Sequence, residues 1–418
     1  MKTKTPTCSI VLVLTLALSG AAGGAGAGEK PALPDALKKA AANTWVVLDS
    51  EKKDGRLSVL LFWAPEVGRV VRSGGATAGR KQGYGGAPTR EFDLGSCKWS
   101  DAGGKSGGGL LIGRGNQYNM SAYVASEKKI YVRCSSGRKQ PRELYSYSPA
   151  DRAWAKVEAP QLEIDGRWGA LGHDPVNNEL VFFGGHGSRG KPTWIFDLKA
   201  RTWRRHAPSD EAMIALCGAG DEAHWAATGL LGRAANRFTI AETSEEAEED
   251  LGARAAKLSA DLKALAGKAA AAKVGANHTA AAAHAAKLLE DLTKEYAGFK
   301  AKLGGKITPE ILGELRAAKR RVLEARRALS PEPVARGLSP LALDPVGERL
   351  VLFGGDRLDS VLSDTWVYDC KTRKWSQRFP KKVPPPRGGH VLDWLPEAKK
   401  IVLAGGYTHS GSLDQDIW

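Results

Sequence analysis

The chain alternates short apolar runs with turn residues over much of its length. Runs of four to six Val, Leu, Ile or Phe residues end at the glycine pairs Gly184-Gly185 and Gly354-Gly355, and a similar run ends at Gly405-Gly406. Such runs are too short for helices and are typical of strands buried on both faces. Glycine permits a backbone with positive φ and a close approach to a neighbouring segment, so each pair is predicted to mark the end of a strand.

Aromatic residues follow these glycine pairs at a regular distance. Trp194 and Trp203 are nine residues apart, Trp366 and Trp375 repeat that spacing, and Trp418 follows the last pair. A large ring buries on the order of 150 to 250 Å², which at roughly 25 cal/mol per Å² is about 4 to 6 kcal/mol of transfer free energy. These rings are therefore predicted to hold neighbouring sheets together.

Two weaker copies of the pattern lie upstream. Gly74-Gly75 leads to Trp99. Ser135-Ser136 stands in place of a glycine pair, and Tyr145 lies nine residues before Trp154. The five pairs begin at positions 74, 135, 184, 354 and 405, which gives a period of about 50 residues with one long interruption.

The order of apolar strand, Gly-Gly, Trp-x-(Phe/Tyr)-Asp and a later Trp resembles the Kelch repeat. The closest matches are "TWIFDLKARTW" and "TWVYDCKTRKW", and "PPPRGGH" at 384–390 is similar to the Pro-Arg-x-x-His start of a Kelch inner strand. In that family each repeat forms one four-stranded blade of a β-propeller. The resemblance covers residues 43–210 and 337–418. It implies a mainly β fold of five to six blades, similar to the central domain of galactose oxidase and to exported bacterial members.

Composition changes to Ala, Lys, Glu and Leu in residues 243–330. Thr243 and Glu246 form a capping box, and three apolar stripes with coiled-coil spacing follow, joined at "VGANHT" and "LGGKIT". We predict an inserted segment of three antiparallel helices. Internal packing of the stripes is the favoured interpretation, and a lid over the propeller, a spacer and an oligomerisation arm remain alternatives.

The start of the chain resembles a secretory signal peptide over residues 1–27, with two lysines before an apolar stretch and Ala25-Gly26-Ala27 at the cleavage point. Residues 28–42 are interpreted as a linker. No later segment is long and apolar enough for a membrane span. We therefore expect a secreted or periplasmic protein.

The propeller is predicted in two parts, 43–242 and 331–418, on either side of the helices. Residues 211–242 contain strand-like pieces without the glycine and aromatic pattern, and are interpreted as a degenerate blade or as an approach to the helices. The chain ends where the third strand of a blade is expected to start. Residues 43–53 resemble that missing strand and are predicted to complete the final blade, and the alternative is a truncated sequence.

The net charge limits the classes of partner that the protein is expected to bind. The formal net charge is +15, and nucleic acid is a poor partner for an exported protein, so an anionic glycan or a protein is predicted.

The spacing of the cysteines after the signal peptide matches no metal site. They are interpreted as core or turn residues, with a disulfide left open: Cys97, Cys134, Cys217 and Cys370.

The segments after the first three pairs are rich in basic residues, and such loops gather on one face of a propeller. This face is predicted to carry a ligand-binding set: Arg80, Lys81, Arg138, Lys139, Arg142, His186, Arg189 and Lys191. The later copies carry an acidic set: Asp356, Asp359, Asp364, Asp414 and Asp416. Arginine forks suit the carboxylate of an acidic sugar, and the alternative is that all of these are solvated turn residues.

The leading functional hypothesis is a Kelch-type propeller that binds carbohydrate or protein through this loop face. The resemblance also allows an enzyme, either a galactose oxidase-like copper protein or a sialic acid-processing protein similar to N-acetylneuraminate epimerase. The histidines are scattered, His390 is interpreted as a blade residue, and we predict no catalytic residue, metal or other cofactor. A third hypothesis is a structural surface protein that self-associates through residues 243–330.

Overall fold

The structure is a computed structural model that describes residues 56–57, 60–64, 66–73, 76–77, 89–93, 95–102, 120–133, 143–162, 168–185, 193–240, 250–358, 360–396, 398–408 and 416–418. The predicted signal peptide, the linker and the strand at 43–53 lie outside these residues. So do Thr243, Cys134, and the pairs Gly74-Gly75 and Ser135-Ser136.

The first half of the chain forms three four-stranded antiparallel sheets, here called blades 1 to 3. A two-stranded sheet of β1 (Arg56–Leu57) and β4 (Ala76–Thr77) accompanies blade 1. Blade 1 contains β2 (Leu60–Ala64), β3 (Arg69–Ser73), β5 (Thr89–Asp93) and β6 (Lys98–Ala102). Blade 2 contains β7 (Ser121–Val124), β8 (Lys129–Arg133), β9 (Leu144–Ser148) and β10 (Ala153–Lys156). Blade 3 contains β11 (Ala170–Asp174), β12 (Glu179–Phe183), β13 (Thr193–Asp197) and β14 (Thr202–Arg205).

Two further sheets follow the helical segment. Blade 4 contains β15 (Leu341–Asp344), β16 (Arg349–Asp356), β17 (Val361–Asp369) and β18 (Lys374–Arg378). The partial blade 5 contains β19 (Val391–Leu395) and β20 (Lys400–Ala404). Ile417 forms an antiparallel bridge with Ala404, so the last three residues pair where a third strand is expected.

Each of blades 1 to 4 contains one aromatic cross-strand pair, whose members are seven residues apart in the chain and not the nine that separate Trp194 from Trp203 and Trp366 from Trp375. The third strand of each blade supplies a Phe or Tyr, and the fourth strand supplies the Trp directly opposite. The ring centroids are 4.9 to 5.4 Å apart in the pairs Phe92–Trp99, Tyr147–Trp154, Phe196–Trp203 and Tyr368–Trp375. Such pairs stabilise a sheet beyond their buried area.

Blade 2 has an arginine at a position that phenylalanine occupies in blade 3. Ile130 pairs with Tyr147 as Leu180 pairs with Phe196, which places Arg133, and not Cys134, at the position of Phe183. Arg133 is fully buried, and its guanidinium lies 4.3 Å from the centre of the Phe182 ring. A long stem and a cation over an aromatic face let arginine occupy an apolar position.

Residues 211–240 form one long helix, α1 (Glu211–Ile240), so their interpretation as a degenerate blade is wrong and they supply no strands to a sixth blade. Asp210 caps the helix, because its Oδ1 accepts a hydrogen bond from the Met213 N–H at 3.0 Å. The buried positions recur with helical spacing: Met213, Leu216, Ala223, Ala227, Leu230 and Ala234.

The three predicted helices are α2 (Leu251–Ala271), α3 (Thr279–Leu303) and α4 (Pro309–Ala328). Helix α2 begins with Asp250 as its cap, after the capping box predicted at Thr243. Helix α4 begins at the expected Thr308-Pro309 pair. The apolar stripes of these helices pack together with α1 in one core, which agrees with internal packing as their main role.

Successive blades are neighbours through their first strands. β7 contacts β11, β11 contacts β15, and β15 contacts β19. The fourth-strand tryptophans reinforce this order: the Trp154 Nε1–H donates to Thr89 Oγ1 of blade 1 at 2.7 Å, and the Trp375 Nε1–H donates to Thr193 Oγ1 of blade 3 at 3.1 Å. Blades 3 and 4 thus pack directly against each other although the helices separate them in sequence.

The helices pack against the outer strand of blade 4. Helix α3 contacts β18, and the His284 ring stacks on Phe379 with 4.3 Å between ring centroids. The Asn277 Nδ2–H donates to the Trp375 carbonyl at 2.8 Å. Within the described ranges no helix has the length and apolar character that a membrane crossing requires.

Candidate functional site

The eight residues predicted to bind a ligand on the loop face all lie outside the described residues: Arg80, Lys81, Arg138, Lys139, Arg142, His186, Arg189 and Lys191. Asp359 and Asp414 of the acidic set also lie outside them. Three members of that set, Asp356, Asp364 and Asp416, are described, and their contacts can be compared with the prediction.

Asp364 is a framework residue. Its carboxylate accepts two hydrogen bonds from the fully buried Arg336, one of them from Nη2 at 2.9 Å, and one from the Trp366 Nε1–H at 2.8 Å. Arg336 also donates to the Gly354 carbonyl at 3.1 Å. Burial alone raises the pKa of the Asp364 carboxyl, but the charge and hydrogen bonds of Arg336 outweigh it and hold the pKa below its usual value.

Blade 5 repeats this cluster with Arg387, Asp416 and Trp418. Arg387 is fully buried, and its Nη2 donates to Asp416 Oδ2 at 2.8 Å while its Nη1 donates to the Gly405 carbonyl at 3.1 Å. The Trp418 Nε1–H donates to Asp416 at 2.6 Å. The prediction that Asp364 and Asp416 form an acidic half of the ligand mouth is therefore wrong, because both carboxylates already bind a buried arginine.

Asp356 joins neighbouring blades. Its carbonyl accepts a hydrogen bond from the Gly337 N–H at 2.8 Å, and its carboxylate accepts bonds from the Leu358 N–H and the Tyr407 hydroxyl, both at 2.5 Å. Tyr407 belongs to the segment after β20, so this contact joins blades 4 and 5.

The glycine pairs hold the start of the following blade. The Gly185 N–H donates to the Arg336 carbonyl at 2.7 Å, and the Gly355 N–H donates to the Arg387 carbonyl at 2.8 Å. Gly184 has φ +74°, and a Cβ placed on it would lie 2.2 Å from the Arg336 carbonyl oxygen. Only glycine fits there, which explains why the pairs recur.

His390 is a buried blade residue, as interpreted from the sequence. Its ring meets Phe353 edge-on with 5.6 Å between centroids. Burial, together with the neighbouring Arg387 charge, lowers the pKa of His390 to about 3.

In the part of the chain that the structure describes, no three His, Cys, Asp or Glu side chains form a group that could hold a metal ion. Of the cysteines described there, Cys217 and Cys370 are free thiols.

A cavity lies where the helices meet blades 3 and 4, and we call it the junction cavity. Its volume is about 610 Å³. Most of its lining comes from three segments: residues 204–212 at the end of β14 and the start of α1, the α2–α3 connection at 273–278, and residues 372–375 at the start of β18. Ile195 and Pro331 complete it. The site was not predicted from the sequence, because these segments are far apart in the chain.

Five basic and two acidic residues line the junction cavity: Arg204, Arg205, Lys273, Arg373, Lys374, Asp210 and Glu211. Arg204 and Arg373 share the buried Glu179, at 2.8 and 3.0 Å. Lys273 and Lys374 are exposed and form no ion pair within the described ranges.

Asp210 is held in place by two backbone N–H groups. Its Oδ1 caps α1 at the Met213 N–H, and its Oδ2 accepts a hydrogen bond from the Gly275 N–H at 2.7 Å. The second bond fixes the α2–α3 connection against the end of blade 3. His206 supports the same wall, since its Nε2 lies 2.8 Å from the Arg373 carbonyl and its Nδ1 lies 3.3 Å from Glu332.

His278 lies in the wall of the cavity and is only 3% exposed. The Asn277 Nδ2 donates both to the Trp375 carbonyl at 2.8 Å and to His278 Nε2 at 2.9 Å. Because Nε2 is an acceptor, the ring proton of neutral His278 is on Nδ1. That Nδ1 has no hydrogen-bond partner among the described residues. Burial lowers the pKa of His278, with opposing effects from Asp210 and Lys374.

Comparison with protein families identifies a Kelch motif at residues 337–378. This segment comprises all four strands of blade 4 and includes Asp364 and Trp366. Arg336 lies immediately before it. No curated protein matches the chain.

Proposed function

We propose that this protein is a Kelch-type propeller that acts as a protein-binding scaffold through the loops between the second and third strands of its blades. The Kelch motif at 337–378 suggests a protein-interaction β-propeller module. The observation that carries the proposal is the cluster of Arg336 and Asp364, with its copy in Arg387 and Asp416. The charged groups of these two clusters pair with each other inside the blades. The loops between the strands are therefore the parts of the blades that we expect to bind a partner.

The loop sequences support an acidic partner. The segments that follow the second strands of blades 1 to 3 carry seven of the basic residues named in the sequence analysis. Arginine binds carboxylates with two parallel hydrogen bonds, and clustered basic charge accelerates encounter with an acidic surface. The occupant that we propose is an acidic segment of a protein.

The experiment is a binding screen of the full-length protein against an array of acidic peptides and an array of anionic glycans. The test variant combines Arg138→Ala with Arg189→Ala. The control combines Lys199→Ala with Lys400→Ala, which removes the same charge from the turn after β13 and from the first residue of β20. The proposal predicts peptide binding that falls by about tenfold or more in the test variant and stays within about twofold in the control. Binding to glycans alone, or equal loss in both variants, contradicts it.

The proposal includes export of the protein, on the basis of the signal-like residues 1–27. We expect the mature protein from the producing cell to begin near Gly28. N-terminal sequencing of that protein tests this, and a mature chain that starts at Met1 in the cytoplasm overturns it.

A further inference from the structure

We propose that helix α1 pairs with α1 of a second copy of the chain, in antiparallel orientation about a two-fold axis level with Ala227. The surface involved is the outer face of α1, which we define as its exposed positions from Ile214 to Asn236. This face belongs to α1 and not to residues 243–330, for which self-association was considered from the sequence. The inference does not depend on the binding proposed for the loop face.

The outer face of α1 is apolar at its centre. Trp225 is 69% exposed and Ile214 is 45% exposed. They are eleven residues apart, which is about three helical turns, so both side chains lie on the same side of the helix. The only charged residues among the exposed positions of this face are Glu222 and Arg233, and apart from Asn236 the others are Ile, Trp, Ala or Gly. A helix that faces only solvent usually carries charged and polar residues there, whereas an exposed tryptophan among apolar neighbours is typical of a contact surface.

Three glycines of the outer face leave space for a close neighbour: Gly218, Gly229 and Gly232. A Cβ built on any of them meets no heavy atom of the described residues within 4 Å. Packing among the described residues therefore gives no reason for glycine at these positions. After proline, glycine is the least favourable residue in a helix interior, and its advantage is that another segment can approach its backbone closely.

Shape and charge together indicate that the neighbour is a second copy. With the axis level with Ala227, Trp225 of one copy lies opposite Gly229 of the other, where the absent side chain leaves room for the indole. The same axis places Glu222 of one copy beside Arg233 of the other. Arginine has five N–H donors, so this contact is compatible with other contacts of Arg233.

One axis thus satisfies both pairs, and each pair occurs twice, as a two-fold contact requires. Trp225 lies at the middle of α1 (Glu211–Ile240), so the two helices overlap along most of their length. The contact is about one helix wide, roughly 10 Å. We therefore expect a dimer that dissociates in the micromolar range and not an obligate one.

Sedimentation equilibrium of the full-length protein tests the proposal. The test variant is Trp225→Glu, which brings two carboxylates to the centre of the contact. The control is Val346→Glu, because Val346 is also 69% exposed and lies in the turn between β15 and β16 of blade 4. We expect the wild type and the control to dimerise with a Kd of about 1 to 50 μM, and the test variant to dimerise about tenfold or more weakly.

Exchange of the charged pair provides a second test that requires no change in the apolar residues. Glu222→Arg places like charges together and is expected to weaken the dimer by about fivefold or more. Glu222→Arg combined with Arg233→Glu restores opposite charges and is expected to return the Kd to within about threefold of the wild type. The proposal is overturned if the wild type is monomeric at about 100 μM, if Trp225→Glu and Val346→Glu weaken the dimer equally, or if the exchanged pair does not recover it.

Discussion

The indole Nε1–H of Trp375 donates a hydrogen bond to Thr193 Oγ1 at 3.1 Å, across 182 residues of chain. The donor lies in the fourth strand of blade 4 and the acceptor at the start of the third strand of blade 3. All four helices lie between these two residues in sequence. The helical segment is therefore inserted in the sequence between two blades that contact each other directly. It does not interrupt their packing.

A methyl group at Gly184 is predicted to disrupt the contact between blades 3 and 4. Its Cβ would lie 2.2 Å from the Arg336 carbonyl oxygen, and the backbone has φ +74°. We expect Gly184→Ala to lower the free energy of unfolding by about 2 kcal/mol or more, measured by urea denaturation. Gly267→Ala is the control, because it adds the same methyl group in open space within α2 and is expected to stabilise the protein by up to about 1 kcal/mol. Similar effects of the two substitutions would contradict this account of the glycine pairs.

Removal of the Arg336 side chain is predicted to be among the most destabilising single changes in blade 4. It leaves the Asp364 carboxylate buried with Trp366 as its remaining partner, and such a loss costs roughly 3 to 5 kcal/mol. Arg349→Ala is the matched control in the same blade. Arg349 is half exposed, and Asp344 keeps its bonds from the Val346 and Gly347 N–H groups, so we expect a loss of about 1 kcal/mol or less. Chemical denaturation of both variants measures the difference.

His390 is predicted to make the stability of the protein depend on pH. Its pKa in the folded protein is about 3, whereas the usual value in an unfolded chain is about 6.5. Between these values the unfolded chain binds a proton that the folded protein does not, so stability falls as pH falls below about 6.5, by about 1.4 kcal/mol per pH unit. Urea denaturation at pH 7.5 and 5.5 should show a loss that is about 1 kcal/mol larger for wild type than for His390→Gln. An equal loss in both would mean that His390 is not buried in its neutral form.

Much of the blade architecture was predictable from the sequence because the residues that indicate it lie close together in the chain. A glycine pair and an aromatic pair nine residues apart lie within one repeat, and the strands form around them. The contacts of Asp364 and Asp416 were not predictable in the same way. Each pairs with an arginine 28 or 29 residues earlier in the chain, and only the register of the strands shows that the two side chains meet.

Helix α1 was missed for a different reason. Three of the six buried apolar residues on its face are alanines, beside one Met and two Leu, and the glycines Gly218, Gly229 and Gly232 weaken the helical pattern. Packing against the core of the other three helices outweighs this low intrinsic preference. The junction cavity was missed because "VGANHT" was interpreted only as a connection between helices, and its neighbours in blades 3 and 4 are known only from the fold.

The pair of Trp375 and Thr193 offers the most direct test of the central claim, that blades 3 and 4 are adjacent in space although the helices are inserted between them in sequence. The measurement is a double-mutant cycle with Trp375→Phe, Thr193→Val and the combined variant, followed by urea denaturation. We predict a coupling free energy of about 0.5 to 1.5 kcal/mol, the usual net contribution of a buried hydrogen bond. Additive effects, with coupling below about 0.3 kcal/mol, would contradict the adjacency of the two blades and the fold described above.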